Sequence, residues 1–410
     1  MSLLTIGWTV KDSEEGLMRV LQRCLVAIAL LFLTTSVTAG AADQPPLKIG
    51  IIYRFSGGGP PMGKSLDAAI AAYQNTHGDV AGGRKIEFVR RDDGGVAPDV
   101  ARRLAQELIV DEKVDALFGL LFTPNAIAVG SVSTASKMPV FVTNAATSEL
   151  LPNNPYMVRF SLTETQVAAP LALWAARNGI KNVYTIFLDY GAGHEANDAF
   201  KAAFIANGGK IVGEIAAPLT TATYDPYVER IKEAKPDAVF AFVGPVNGGH
   251  GFMKAYADAG LAAAGIKLLA TNDLTTGWNL PQLGDSIVGA ISASNYASSF
   301  DTPLNAAFVK AYQTAYGGSY QPDFEAVAAY DAVDAIYRVV NAQHGRLDPD
   351  KTLALLKGMK IDSPRGPIQI DAATRGIVQN IYILRTDKKG DGYVNTKIAT
   401  IPMVKENGLP

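Results

Sequence analysis

The sequence predicts an α/β protein of two Rossmann-like lobes, each built on a parallel sheet, joined by crossing strands with a ligand cleft between them. Three observations carry that reading. From Leu47 onward, short apolar runs of strand length alternate with amphipathic runs of helix length, as in a parallel sheet covered on both faces. A second series of the same kind starts after "YMVRFSLTE" (156–164). Late helices and a hairpin-like pair then close the chain in place of another strand–helix unit.

The elements follow in order. "LKIGIIY" (47–53) is the first strand, with the loop "RFSGGGPPMG" and the helical run "KSLDAAIAAYQNT" after it. "KIEFVRRDD" (85–93) leads to a helix with Pro98 early in it and Leu104, Leu108 and Ile109 on one face. "VDALFGLLF" (114–122), "NAIAVGSVSTAS" and "MPVFVT" (138–143) continue the alternation. The second lobe runs from "QVAAPLALWAARNG" through "NVYTIFL", "EANDAFKAAFIANGG", "KIVGEIAAP", "YDPYVERIKEAKP", "DAVFAFVG" and "GGHGFMKAYADAG" to "IKLLAT". "IVGAISASNYASSF" (287–300) passes out of it. Helices around 303–316 and 324–342 follow, then "SPRGPIQID" and "IVQNIYILRT" as the hairpin. The expected lobes are 43–163 with 297–378, and 164–296 with 379–410. Ligands in such sheets bind beyond the carboxyl ends of the strands, so two facing sheets make a cleft.

Residues 1–42 read as a segment outside the fold. Arg19 and Arg23 precede the apolar run "LVAIALLFL" (25–33), and the small-residue stretch "TTSVTAGAADQPP" offers cleavage near Ala41 or Ala42. This is the pattern of a secretory signal peptide, its core shorter than the roughly 20 residues of a membrane span. Met18 is an alternative start, which would leave the first seventeen residues outside the translated chain. The one cysteine, Cys24, lies before the apolar core. The mature chain is therefore expected to be soluble, free of disulfides and exported to the periplasm. The composition is 48% hydrophobic and 19% charged with net charge −2, which argues against nucleic acid as the main partner.

Catalytic and metal chemistry find little support. His77, His194, His250 and His344 are scattered with no metal-ligand spacing. No G-x-S-x-G turn is present, and "GPVNGGHG" (244–251) lacks the Lys and Ser/Thr of a phosphate-binding loop. No cofactor is expected. One motif points the other way: in "FLDYGAGHEA", Gly191, Gly193 and Ala196 satisfy G-x-G-x-x-G/A, with Glu214 about twenty residues on, as in a dinucleotide-binding turn.

Taken in order, "KIGIIYRFSGGGPPMGKSLDAAIAAY", "EFVRRDDGGVAPDVARRLAQELI", "VDALFGLLFT", "PVFVTNAATSEL", "YMVRFSLTETQ", "DYGAGHEANDAF" and "AYDAVDAIY" carry a resemblance. From about 44 to 405 the chain resembles the leucine/isoleucine/valine-type solute-binding proteins of ABC transporters, which have the type I periplasmic binding protein fold. "DSPRGPIQIDAATRGIVQNIYI" is similar to the end of the subgroup that often takes small carboxylates and aromatic acids. The resemblance implies a binding protein, not an enzyme, that closes its lobes over a small organic acid. It implies permease and ATPase subunits on other chains, and a monomer. It also places "DYGAGHEA" as a cleft-facing turn of the second lobe, against the dinucleotide reading. Branched-chain amino acids are the alternative ligand; a sensing module and an exported enzyme are the alternative classes.

Candidate site residues come with two readings each. Phe122-Thr123-Pro124-Asn125 opens a helix and Asn144-Ala145-Ala146-Thr147 follows a strand. Free N–H groups there, with the hydroxyls of Thr123 and Thr147, can hold a carboxylate; ordinary capping explains the same residues. The resemblance assigns ligand contact to Thr123, Ala145 and Thr147, with Asn125 beside them, although Pro124 removes one donor. Arg54 either pairs with a carboxylate or is a solvated loop residue. Met62 and Phe122 are apolar walls or core. Tyr190 stacks on or bonds to ligand, with Gly193 the competing register. Asp273 sits where amino-acid binders place an acid for the ammonium group, and Asp is also a common turn residue. Trp278 covers the cleft or packs its lobe.

Overall fold

Strand β1 (Leu47–Tyr53) is buried on nearly every residue, which is why its sequence is an unbroken apolar run and not an alternation. In the computed structural model, which describes residues 44–57, 61–244, 249–318 and 320–408, β1 lies inside a six-stranded sheet. Its neighbours are β3 (Arg84–Asp92) and β4 (Ala116–Gly119), both parallel, with Ile49 opposite Phe88 and Ala116. The order is β2-β3-β1-β4-β5-β6, where β2 is Val80–Ala81, β5 is Val140–Val142 and β6 is Met157–Arg159. The helices here are α1 (Met62–His77), α2 (Pro98–Val110) and α3 (Thr123–Ser136). Proline at the start, Asp99 in the first turn and an inward face of Ala101, Leu104, Ala105 and Leu108 specify α2. Strand β4 is shorter than its apolar run because Leu120 takes a left-handed φ of 65° and turns the chain toward α3.

The second lobe follows as α4 (Glu164–Arg177), β7 (Asn182–Leu188), α5 (Gly191–Ala206), β8 (Lys210–Ala217), α6 (Asp225–Ala234), β9 (Ala238–Phe242), α7 (His250–Asp258), β10 (Lys267–Thr271), α8 (Leu280–Leu283) and β11 (Ile291–Ser294). Strands β8, β7, β9, β10 and β11 are parallel neighbours in that order. The chain then returns: α9 (Pro303–Tyr316) and α10 (Phe324–Ala342) pack against α1. These two helices have the bounds expected from their amphipathic runs. After α11 (Pro349–Leu356) come β12 (Lys360–Ser363) and β13 (Gly366–Ile370), then the long β14 (Ile377–Lys389) and β15 (Gly392–Val404).

Strand β14 spans the expected lobe boundary. Its first residues pair with β13 and its middle with β11, so hydrogen bonding is continuous along β12-β13-β14-β11-β10-β9-β7-β8. The expected division at 378/379 falls inside this one strand. The hairpin of β13 and β14 matches the expected pair, and β15 on the other edge of β14 is an element the sequence reading lacked.

Three segments lie where the expected lobes adjoin: 160–163 between β6 and α4, 295–302 between β11 and α9, and the start of β14. They meet on one buried side chain. The Gln379 amide donates to the Ser161 carbonyl (2.9 Å) and to Gln166 Oε1 (3.0 Å), while its oxygen accepts from Asn295 Nδ2 (3.0 Å) and Arg365 Nη1 (2.9 Å). Arg365 is itself buried, donates to the Phe160 carbonyl (2.6 Å) and pairs with buried Asp331 (2.8 Å). The proposed signal segment 1–42 and the glycines at 58 and 59 lie outside the described residues.

Candidate functional site

Five helices start at the space between the lobes. Met62 opens α1, Thr123 opens α3, Glu164 opens α4, Ala192 lies in the first turn of α5 and Glu325 in the first turn of α10. All five residues line one small cavity of about 50 Å³, with Leu121, Phe122, Asn144, Ala146, Tyr190 and Asp273. Each helix start carries unpaired N–H groups and a partial positive charge. The sequence neutralises two of these starts and leaves three: α4 and α10 carry Glu164 and Glu325 in their first turns, whereas α1, α3 and α5 carry no acid there. The result is a polarised cavity, with donor ends on one set of helices and carboxylates on the other.

A larger outer space of about 710 Å³ shares Thr123, Tyr190 and Ala192 with the cavity and adds Pro124, Ile127, Thr147, Ser148, Thr165 and Glu195. Among the residues that line these two spaces, two have a buried polar atom with no hydrogen-bond partner in the protein: Thr147 Oγ1 and Glu164 Oε2. Such atoms cost free energy unless something pairs with them. The loop that presents Thr147 is held from beneath, because the fully buried Arg159 donates to the Thr147 carbonyl (2.6 Å). Ala145 N–H donates to the carbonyl of Leu120 (3.0 Å), tying the same loop to the left-handed turn before α3.

The acidic side is electrostatically loaded. Burial, then the neighbouring Asp273 and Glu195, push the Glu164 carboxyl well above its ordinary value, against the pull of Arg159. Burial with Asp323 and Asp273 does the same to Glu325, although the Tyr53 hydroxyl (3.3 Å) and Arg54 oppose it. Asp273, which accepts from Thr271 Oγ1 (3.1 Å), is pushed by burial up to about 6. Burial and the charges of Glu164 and Asp273 hold the Tyr190 phenol well above 10, so it stays a neutral donor.

Of the candidate residues, Met62, Phe122, Thr123, Tyr190 and Asp273 come together on the cavity wall, and Thr147 faces the adjoining outer space. Ala145 is buried in the loop between them. Arg54 lies near enough to act on Glu325 and Asp93 but is not on the lining. Asn125 stands apart. Its amide donates to Asp93 (2.8 Å) and the Gly95 carbonyl (2.7 Å) and accepts from Ala97 N–H (2.9 Å), so it fastens the loop before α2. Gly193 packs against β7, where a Cβ would overlap the Leu188 carbonyl oxygen, so its glycine answers to helix–strand packing. Glu214 pairs with Lys201 on the surface of the second lobe. Trp278 is buried and lines neither space.

Sequence reasoning missed Glu164, Glu325 and Glu195. Glu164 follows the capping residue Thr163, whose hydroxyl accepts from Gln166 N–H (3.1 Å); Glu325 follows Asp323, which accepts from Ala326 N–H (2.9 Å). Both look like the ordinary first-turn acids that complement a helix dipole, and only the convergence of the helix starts makes them a site.

Two α/β lobes closing a polarised cavity at converging strand ends and helix starts define a ligand-binding protein of the two-lobed kind. The profile of the family described as Periplasmic binding protein matches residues 46–391, and the chain belongs to that family. It is 41% identical over 377 residues to the Leu/Ile/Val-binding protein homolog 6 of Brucella abortus (strain 2308), covering 91% of this chain and 96% of the relative. It is similar to the ABC transporter solute-binding protein of Rhodopseudomonas palustris BisB5 solved with 3,4-dihydroxybenzoic acid. That match has TM-score 0.84 and 40% identity, covering 88% of this chain and 99% of the other. A solute-binding protein of R. palustris solved with 4-hydroxybenzoate gives TM-score 0.86 and 40% identity, covering 89% and 99%. The fold is thus the type I periplasmic binding protein fold. The chain stands among solute-binding proteins of ABC transporters and not among enzymes.

Proposed function

We propose that this chain is the periplasmic solute-binding component of an ABC importer, and that its ligand is a small aromatic carboxylate bearing a ring hydroxyl. The observation that carries this reading is the polarity of the cavity. Helix starts α1, α3 and α5, with the hydroxyls of Thr123 and Thr147, suit a carboxylate; Glu164, Asp273 and Glu325 suit a hydroxyl that donates. Met62, Phe122 and Tyr190 offer the apolar and aromatic surface between. The two Rhodopseudomonas proteins at 40% identity were solved with ligands of this class. Closure of the lobes buries the ligand and presents the closed form to the permease.

A second reading has one observation in its favour: three carboxylates also suit the ammonium group of a branched-chain amino acid. A melting panel separates the two. A ligand at 100 times its Kd adds about 2.7 kcal/mol to stability. 4-Hydroxybenzoate should raise the melting temperature more than benzoate, while its methyl ester and leucine should leave it unchanged. A shift with leucine alone would favour the amino-acid reading, and an equal shift with the ester would exclude the carboxylate end. The export step has its own check: N-terminal sequencing of periplasmic protein should start near Ala42 or Asp43, and retention of residues 25–33 would contradict it.

A further inference from the structure

One carboxylate outside the inner cavity bridges the two lobes. Glu195 lies in α5 of the second lobe, and Ser148 follows Thr147 in the loop after β5 of the first. Glu195 Oε2 accepts from Ser148 N–H (2.9 Å), and Oε1 accepts from Ser148 Oγ (2.6 Å) and Thr165 Oγ1 (3.0 Å). Both oxygens are thus engaged, each by a donor from the opposite lobe. We infer that Glu195 is a positioning residue for ligand binding: it latches the second lobe to the Thr147 loop when the cleft closes. The inference rests on the closure reading above.

The geometry explains why this carboxylate is placed here. Thr147 is gripped on one side, at its carbonyl, by Arg159, and on the other, through Ser148, by Glu195. The first grip lies within the region of the first lobe and the crossing segments, so it persists whether the lobes are open or closed. The second exists only when α5 has swung onto the loop. Closure therefore fixes the residue whose hydroxyl is unpaired, and the free energy of the latch adds to that of the ligand contacts without touching the ligand. Charge-assisted bonds of this kind are stronger than neutral ones, and the site is partly shielded from water.

The test uses 4-hydroxybenzoate and leucine as probes, taking whichever gives the larger melting shift. Glu195→Ala should weaken binding about tenfold to a hundredfold, mostly by faster dissociation. Glu195→Gln keeps one acceptor for the Ser148 N–H and should fall between it and the wild type. With 4-hydroxybenzoate and benzoate compared, the preference between them should be the same in all three proteins. Ser148→Ala should weaken binding less, and the double variant should be no weaker than Glu195→Ala, because both residues act through one contact. Additive losses or a changed preference would overturn the inference. With the same probe at saturation, the Ser148 amide proton should exchange faster with solvent in Glu195→Ala than in the wild type, and equal rates would also overturn it. No melting shift with either probe would count against the ligand reading, whereas a melting shift with equal exchange rates would count against the latch alone.

Discussion

At the scale of single residues, two unpaired buried atoms belong to residues that line the proposed site: Thr147 Oγ1 beside the outer space and Glu164 Oε2 beside the inner cavity. Hydrogen bonds to a charged group contribute roughly 1.5–3 kcal/mol, so Thr147→Ala should weaken carboxylate binding about 10- to 150-fold. Thr147→Ser keeps the hydroxyl and should cost far less; equal losses in a calorimetric titration would take Thr147 out of the contact. The acids give a pH signature. Asp273 titrates near 6 in the fold, and Glu164 and Glu325 are raised as well. An anion entering beside these groups raises their proton affinity further, so binding takes up protons and tightens as pH falls from about 8 toward 5.5. An ammonium ligand reverses that slope. Stability follows the same sign: an unfolded Asp titrates near 3.9. The contribution of Asp273 is fully present below about 4 and is lost as pH rises through about 6. Asp273→Asn should flatten both profiles.

Helices and strands were the most legible part of the chain. Leu47–Tyr53, Asn182–Leu188, Pro303–Tyr316 and Phe324–Ala342 begin and end where the apolar periodicity does. Strand β15 escaped because Val404 is its one buried residue and its apolar and polar side chains share exposed or half-buried positions, so no buried face writes a pattern into the sequence. Among site residues, Thr123, Tyr190 and Asp273 were legible because they sit at the carboxyl ends of strands. Glu164 and Glu325 were not, since one helix start looks like another until the fold brings them together. The same limit applies to "DYGAGHEA", whose glycines open α5. A Cβ at Gly193 would overlap backbone of β7, whereas one at Gly191 meets nothing within 4 Å. Gly193→Ala should therefore destabilise the protein by about 1–3 kcal/mol, while Gly191→Ala should be near neutral in urea unfolding. Equal effects would count against the packing account of this turn.

For the whole molecule, the decisive arrangement is the meeting of the three connections on Gln379. Its replacement by Ala strips partners from the Ser161 carbonyl, Asn295 and Arg365 at once. Leaving buried polar groups unpaired is costly, so Gln379→Ala should lose about 2–5 kcal/mol of stability. Scattering should show the wild type contracting with saturating ligand. Gln379→Ala should contract less or bind more weakly, and full contraction at wild-type affinity would remove Gln379 from the hinge. The three-way meeting was not readable from the chain, because the contacts of Gln379 with Ser161 and Gln166, some two hundred residues away, leave no local period.

The convergence of helix starts has an evolutionary corollary. On the proposed reading, what the cleft accepts is written in a handful of first-turn positions, whereas the ability to close is written in β14 and its polar partners. The two use different side chains even where they adjoin, as Glu164 and Gln166 do in one helical turn. A lineage can therefore exchange Glu164 or Glu325 and acquire a new nutrient while its bending apparatus, and the importer that reads it, stay as they were.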